Sequence, residues 1–206
     1  MIGLSPSLQA NSGSSAVPGG DRAHFTLFPT PIGDCAIAWR RALVVATQLP
    51  ERSPTAIAAR LARDLGATEG KPSLEIWQAV ESMTALLEGE KIDLSTIRCS
   101  FDGCEAFALD FYAATRAIPA CETRTYGAIA SELGDKAWAR RVGRALGQNP
   151  IPIIVPCHRV VGANQKLTGF SAHGGVETKR RMLEIEGARV EDTPSLFPDL
   201  GIVPKR

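Results

Sequence analysis

No apolar run in this 206-residue chain approaches the roughly 20 residues needed to cross a bilayer as a helix, so nothing in it reads as a membrane helix. The start, Met1 to Pro6, lacks the basic region and apolar block of a secretory signal, and export by that route is not expected. The chain has 5 cysteines, an odd count without paired spacing, which argues against a disulfide scaffold and for a reduced cytoplasmic or nucleoid setting. Histidines are equally scarce, at 3. Cys99 and Cys104 stand close in sequence, but His24, Cys35 and Cys121 are isolated. No set of four ligands at a recognisable spacing results, so neither a metal nor any other cofactor is expected.

What remains is an ordinary globular composition, 44% hydrophobic and 22% charged, enough for one large domain or two small ones. The net charge of +1 conceals an asymmetry. Residues 1–120 hold 10 Lys/Arg against 13 Asp/Glu, whereas residues 121–189 hold 11 against 6. The second half therefore carries a balance of +5 (11 − 6), suited to an anionic partner such as nucleic acid.

Residues 1–20, rich in Ser, Gly and Pro, read as a disordered lead, residues 21–102 as a small α/β domain, residues 103–188 as a second domain, and residues 189–206 as a tail. In the first domain, His24 to Trp39 has the pattern of a β-hairpin and Leu43 to Thr47 that of a third strand. Ser53 before Pro54 starts a helix carrying Ile57, Leu61 and Leu65 on one face, ended by Gly66. A second helix is predicted over 74–87, with Ile76, Val80, Met83 and Leu87 inward, and a short strand over 92–101.

The second domain opens with a helix from Glu105 that turns Phe107, Phe111 and Ala114 inward. Thr125 then caps a short helix with Ile129 and Leu133 on its apolar side, and another helix runs from about Ala137 to Gln148. Two short helices joined at Gly134 make a helix-turn-helix pattern. On the second of them, Ala139, Gly143 and Gly147 form a smooth stripe, flanked by Arg140, Arg141 and Arg144. A glycine costs about 1 kcal/mol against alanine in a helix interior, so the pair needs a reason: close packing on another helix, or close approach to a nucleic-acid groove, which the adjacent arginines favour.

The stretch around which the rest is arranged is Asn149 to Val160. Apolar residues at 151 and 153–155 alternate with prolines at 150, 152 and 156, which favour an extended, buried run ending in the pair Cys157-His158. After it, Val161 to Gly169 reads as a turn between extended segments and Phe170 to Gly175 as a loop able to fold over a pocket. A final helix from Val176 to Glu186 turns Val176, Lys179, Leu183 and Glu186 to one face, which strands the Glu186 carboxylate among apolar neighbours and in need of a partner.

Asn149-Pro150, Val155-Pro156-Cys157-His158-Arg159-Val160, Thr125-Tyr126-Gly127, Arg140 and the close Gly174-Gly175 through Glu186-Gly187 together resemble the methylated-DNA–protein-cysteine methyltransferases, or O6-alkylguanine-DNA alkyltransferases. The resemblance covers about residues 104–188. It implies a ribonuclease-H-like α/β N-terminal domain followed by a mainly α, helix-turn-helix (winged-helix-like) C-terminal domain. It further implies a single-use protein, expected as a monomer, that binds double-stranded DNA in the minor groove, flips out an O6-alkylated guanine and moves the alkyl group permanently to Cys157.

By the same resemblance His158 activates the thiol through a water, Glu186 orients the imidazole, and Asn149 ties the helix pair to the site. Tyr126 helps to rotate the nucleotide, and Arg140 fills the gap left in the stack. Arg141, Arg144, Ala139 and Gly143 belong to the DNA surface, and Arg159, Val160, Phe170 and Ser171 to the base side. Phe170 stands where many relatives carry tyrosine, the loop after it is longer by about two residues, and Arg141 replaces a small residue. Three other readings are open: a helix-turn-helix regulator, a non-catalytic binder of alkylation lesions, and a cysteine hydrolase with a hydrolysable acyl intermediate.

Overall fold

The computed structural model describes residues 22–188, so the expected lead at 1–20 and tail at 189–206 lie outside the described residues. The N-terminal part is a sheet with helices. Strands β1 (His24–Phe28) and β2 (Cys35–Arg40) pair antiparallel as the expected hairpin, and β3 (Leu43–Gln48) pairs antiparallel with β2. Helix α1 (Pro54–Leu65) follows, begun by Ser53, whose hydroxyl accepts from Ala56 N–H, and ended by Gly66 at φ 62°. That left-handed angle suits a residue without a Cβ. The next strand, β4 (Thr68–Glu69), pairs parallel with β1 and gives the sheet order β3-β2-β1-β4. Two residues carry too little pattern to be read as a strand from sequence.

Helix α2 (Leu74–Leu87) buries Ile76, Val80, Met83 and Leu87 as its spacing predicts. The strand expected over 92–101 does not form. This segment turns instead, and only Cys99 bridges to Val44, with Val44 N–H donating to Arg98 C=O and Ser100 N–H to Val44 C=O. Its apolar residues Ile92, Leu94, Ile97 and Phe101 still pack against the core.

Helix α3 (Ala106–Arg116) turns Phe107, Phe111 and Ala114 to the core as expected. It buries Ala108, Phe111, Tyr112 and Thr115, while Phe107 is half-buried. The Tyr112 hydroxyl donates to Ala145 C=O at 3.1 Å, which ties α3 to the next helix but one. After β5 (Arg124–Thr125), Thr125 caps α4 (Tyr126–Glu132) by accepting from Ala128 N–H at 3.0 Å. A 3-10 turn at Lys136–Trp138 leads into α5 (Ala139–Gly147). Strand β6 (Val160–Val161) pairs parallel with β5, and α6 (Val176–Ile185) closes the described chain.

One continuous core joins the two halves. Ile37 and Trp39 of β2 and Met83 and Leu86 of α2 belong to the same packed cluster as Phe111, Ile129, Leu146, Ile151, Val155 and Met182. No helix among the described residues is long and apolar enough to cross a membrane.

Candidate active site

The stretch Ile151–Pro156 is buried as expected but is not extended. It folds into a turn in which Val155 N–H donates to Ile151 C=O at 2.9 Å, and Ile153 sits at φ 75°. A β-branched residue in the left-handed region is strained by about 1–3 kcal/mol, which persists only where surroundings over-determine it. Two side chains do so here. Asn149 Nδ2 donates to Val155 C=O at 2.8 Å while its Oδ1 accepts from Ile151 N–H at 3.0 Å, stapling both ends of the turn. From the N-terminal sheet, Thr47 N–H donates to Pro150 C=O at 3.1 Å and the Thr47 hydroxyl donates to Pro152 C=O. Prolines offer no N–H, so the carbonyls around them are met from outside the turn.

The turn delivers Cys157, His158 and Arg159 on a single 3-10 turn, with all three buried. His158 Nε2 lies 2.9 Å from Glu186 Oε1. Arg159 grips the same carboxylate through Nε to Oε2 at 2.9 Å and Nη2 to Oε1 at 2.8 Å, and donates through Nη1 to Ile118 C=O at 2.6 Å. Glu186 thus has both the histidine and an arginine as partners. Arg159 is removed from the base-facing set by this geometry: its guanidinium is buried and committed to Glu186, which needs its charge compensated inside the protein.

The electrostatics assign the histidine tautomer. Burial pushes the Glu186 carboxyl up, but the hydrogen bonds of His158 and Arg159 and the Arg159 charge outweigh it and hold the group well below its ordinary value. Ionised, it can only accept, so His158 Nε2 is the protonated nitrogen. Burial lowers the His158 pKa despite the Glu186 bond, which keeps the ring neutral and leaves Nδ1 with its lone pair. That Nδ1 is buried and has no hydrogen-bond partner in the protein.

Burial raises the pKa of Cys157, against a hydrogen bond from Asn149, the charge of Lys179 and the backbone N–H groups of Cys157 and His158. Lys179 is the residue that sequence reasoning missed as part of the site. It is fully buried, its Nζ donates to Val160 C=O at 2.5 Å, and it lies 5.7 Å from the Tyr126 ring centre and 5.9 Å from that of Phe170. Burial brings its pKa down to about 8, with Cys157 acting in the opposite sense. The signal was present: a lysine on the same helix face as Leu183 and Glu186 has nowhere to go but inward.

The remaining site residues divide. Tyr126 opens α4, and its ring would lie 3.8 Å from a Cβ placed on Gly143, so the small residue admits the ring. Ala139 and Gly143 are half-buried, while Arg140 and Arg144 are exposed beside them. Arg141 does not flank that stripe. Two residues on from Ala139 it lies about 200° round the helix, facing α3, with its guanidinium 3.4 Å above the Phe107 ring and 5.6 Å from Trp138. Val160 is buried in β6, Phe170 is half-buried and Ser171 is exposed. Cys157, Asn149, Phe170 and Ser171 line a common cavity of about 250 Å³. Among the described residues, no group of three or more His, Cys, Asp or Glu is placed to hold a metal ion.

A buried thiol beside a carboxylate-oriented neutral imidazole, joined to a helix-turn-helix with an arginine-edged smooth face, defines a thiol-dependent protein of nucleic-acid chemistry. Residues 106–188 match the family model of the 6-O-methylguanine DNA methyltransferase DNA-binding domain. A methylated-DNA–protein-cysteine methyltransferase of Mycobacterium bovis is 35% identical over 174 residues, covering 84% of this chain and 98% of that protein. One from Methanosarcina acetivorans is 41% identical over 111 residues, 54% of this chain and 69% of the relative. Among solved structures, Mycobacterium tuberculosis OGT in complex with DNA superposes with a TM-score of 0.66 at 34% identity, over 80% of this chain and 92% of that one. The chain belongs to the methylated-DNA–protein-cysteine methyltransferase family. An N-terminal α/β domain precedes a helical C-terminal domain, as in these neighbours.

Proposed function

We propose that this protein repairs DNA by taking the alkyl group from O6 of a guanine onto Cys157, once per molecule. The observation that carries the reading is the Glu186–His158 pair, which leaves a buried, unprotonated Nδ1 on the residue that follows a buried thiol. Nδ1 takes the thiol proton across a bridging water. The sulfur then forms its bond to the alkyl carbon as the carbon–O6 bond breaks, the electron pair passes into the purine, and the proton ends on the departing guanine. Lys179 and the backbone N–H groups favour the sulfur anion while it exists. Asn149 acts as a positioning residue, holding the strained turn that presents Cys157.

Double-stranded DNA meets the Ala139/Gly143/Gly147 face of α5 in the minor groove, with Arg140 and Arg144 toward phosphates or the emptied stack and Tyr126 at the flipped nucleotide. Phe170, Ser171 and the backbone of Val160 frame the base. Arg141 belongs to the packing of α5 on α3. The sheet order β3-β2-β1-β4, with β4 parallel to β1 and reached through α1, supports a ribonuclease-H-like N-terminal domain of residues 21–102. The trio α3, α4 and α5 with the β5–β6 ribbon supports a winged-helix-like domain of residues 103–188. The reaction fits a cytoplasmic or nucleoid setting, where thiols stay reduced.

Incubating the protein with a duplex carrying O6-methylguanine and weighing it tests the reading. One permanent 14-dalton gain (roughly one added CH₂, by replacement of the thiol hydrogen with methyl), mapped to Cys157, is expected. Tight binding without a mass gain would instead describe a lesion binder, and a gain that disappears on standing would describe a hydrolase.

A further inference from the structure

The cavity at Cys157 is not built by the C-terminal half alone. Leu49, which follows β3, and Leu61 and Leu65 of α1 form part of its wall, together with Leu146, Pro152 and Phe170. Gly147, the last member of the smooth α5 stripe, also lines it, so the cavity reaches the proposed DNA-facing helix. Its polar edge carries Gln48, Arg60 and Asp64, whose polar groups are taken up among themselves and by Glu51. Arg60 Nη1 donates to Glu51 Oε1 at 2.9 Å, Gln48 Nε2 to the same oxygen at 3.1 Å, and Arg60 Nε stands 3.6 Å from Asp64. The wall behind that edge is apolar.

The geometry of displacement says what such a wall does. Attacking sulfur, carbon and departing oxygen must lie on one line, so any substituent on that carbon is pushed out sideways, roughly at right angles to it. A methyl group has no such substituent. An ethyl, benzyl or longer group must find apolar room beside the sulfur, and part of that room here belongs to the N-terminal half. Leu49 and Leu61 are core residues, whereas Leu65 in the last turn of α1 is only half-buried and can be resized.

We propose that the N-terminal domain gauges the alkyl group Cys157 accepts, and that Leu65 is its specificity-determining residue. This rests on the alkyl-transfer reading above. The test uses the full chain and two duplexes, one with O6-methylguanine and one with O6-benzylguanine, and follows single-turnover transfer by intact mass. The quantity read is the ratio of benzyl to methyl rates for the unsubstituted protein, Leu65→Trp and Leu65→Ala, with melting curves to show that each is folded.

Filling the wall with tryptophan is expected to lower the ratio about tenfold or more, and opening it with alanine to raise it severalfold, the range one pocket group commands. A ratio unchanged within about twofold in whichever variants fold overturns the proposal, as does a shift of the same sign in both. Failure of the unsubstituted protein to gain mass from either duplex would overturn the transfer reading itself, a distinguishable result.

Discussion

Cys35 and Cys157 are both buried thiols, one at the start of β2 and one in the turn that ends the proline-rich stretch. Around Cys35 lie apolar side chains and the Thr30 hydroxyl at 3.7 Å, and burial pushes its pKa up to about 12. Burial also raises Cys157, yet the Asn149 amide, the Lys179 ammonium and two backbone N–H groups all pull the other way. His158 next to it keeps a lone pair inside the protein. Enclosure on its own silences a thiol. A buried thiol reacts when what is enclosed with it favours the anion and can take the proton.

The sharpest way to break this comparison is to exchange the two. Cys157→Ala should abolish transfer, by at least about 10⁴-fold, in a mass assay. Cys35→Ala should still transfer at the original rate within about twofold, while its melting point drops by roughly 2–4 °C for about 1 kcal/mol of lost packing.

Removing the proton acceptor comes next. His158→Ala should slow transfer by about 10²–10⁴-fold, the usual reach of a positioned base, measured in single turnovers. Glu186→Gln should slow it by about 10²-fold and also destabilise the fold by about 3–5 kcal/mol in denaturant titrations, because Arg159 is left as a buried charge without its partner.

The Lys179 contribution is smaller and has a pH signature. Lys179→Met should lower the transfer rate about tenfold at pH 7, because the sulfur anion loses the cation that favours it. The deficit should shrink as pH rises past about 8, where the native lysine itself loses its charge. A deficit independent of pH would mean that the lysine only fills space.

The smallest expected effect is on stability against acid. Glu186 is held at about 2, below its ordinary 4.5, so its contribution is complete above about pH 4.5 and is lost as pH falls toward 2. His158, also lowered, adds to the decline from about pH 6.5 downward, since the unfolded chain takes up the proton that the buried ring refuses. Melting curves between pH 7 and 3 should show the fall, and in Glu186→Gln the lower part of it should flatten.

Much of the architecture was legible beforehand. Helices α1, α2 and α4 start at Ser53, Ser73 and Thr125, and each cap oxygen accepts the N–H three residues on, as short-range geometry requires. The hairpin and third strand likewise followed from alternation. Legibility failed where one distant partner outweighed the local pattern. Residues 92–101 were not drawn into the sheet beyond the Cys99–Val44 bridge. The proline-rich stretch was read as extended because proline biases its predecessor that way, but Asn149 and Thr47 fold it back. The stacking of Arg141 on Phe107 was not legible either, because it joins α5 to α3.

From the order of residues alone came the reactive thiol, its imidazole neighbour, the stranded Glu186 and the helix pair, because caps, periodicity and adjacent side chains act within a few residues of one another. Folding in three dimensions was needed to show that Arg159 compensates Glu186, that Lys179 turns inward to Val160 C=O, and that residues of β3 and α1 wall the cavity. Those outcomes depend on charge compensation and packing between segments as much as about a hundred residues apart, a separation that spacing along a chain does not encode.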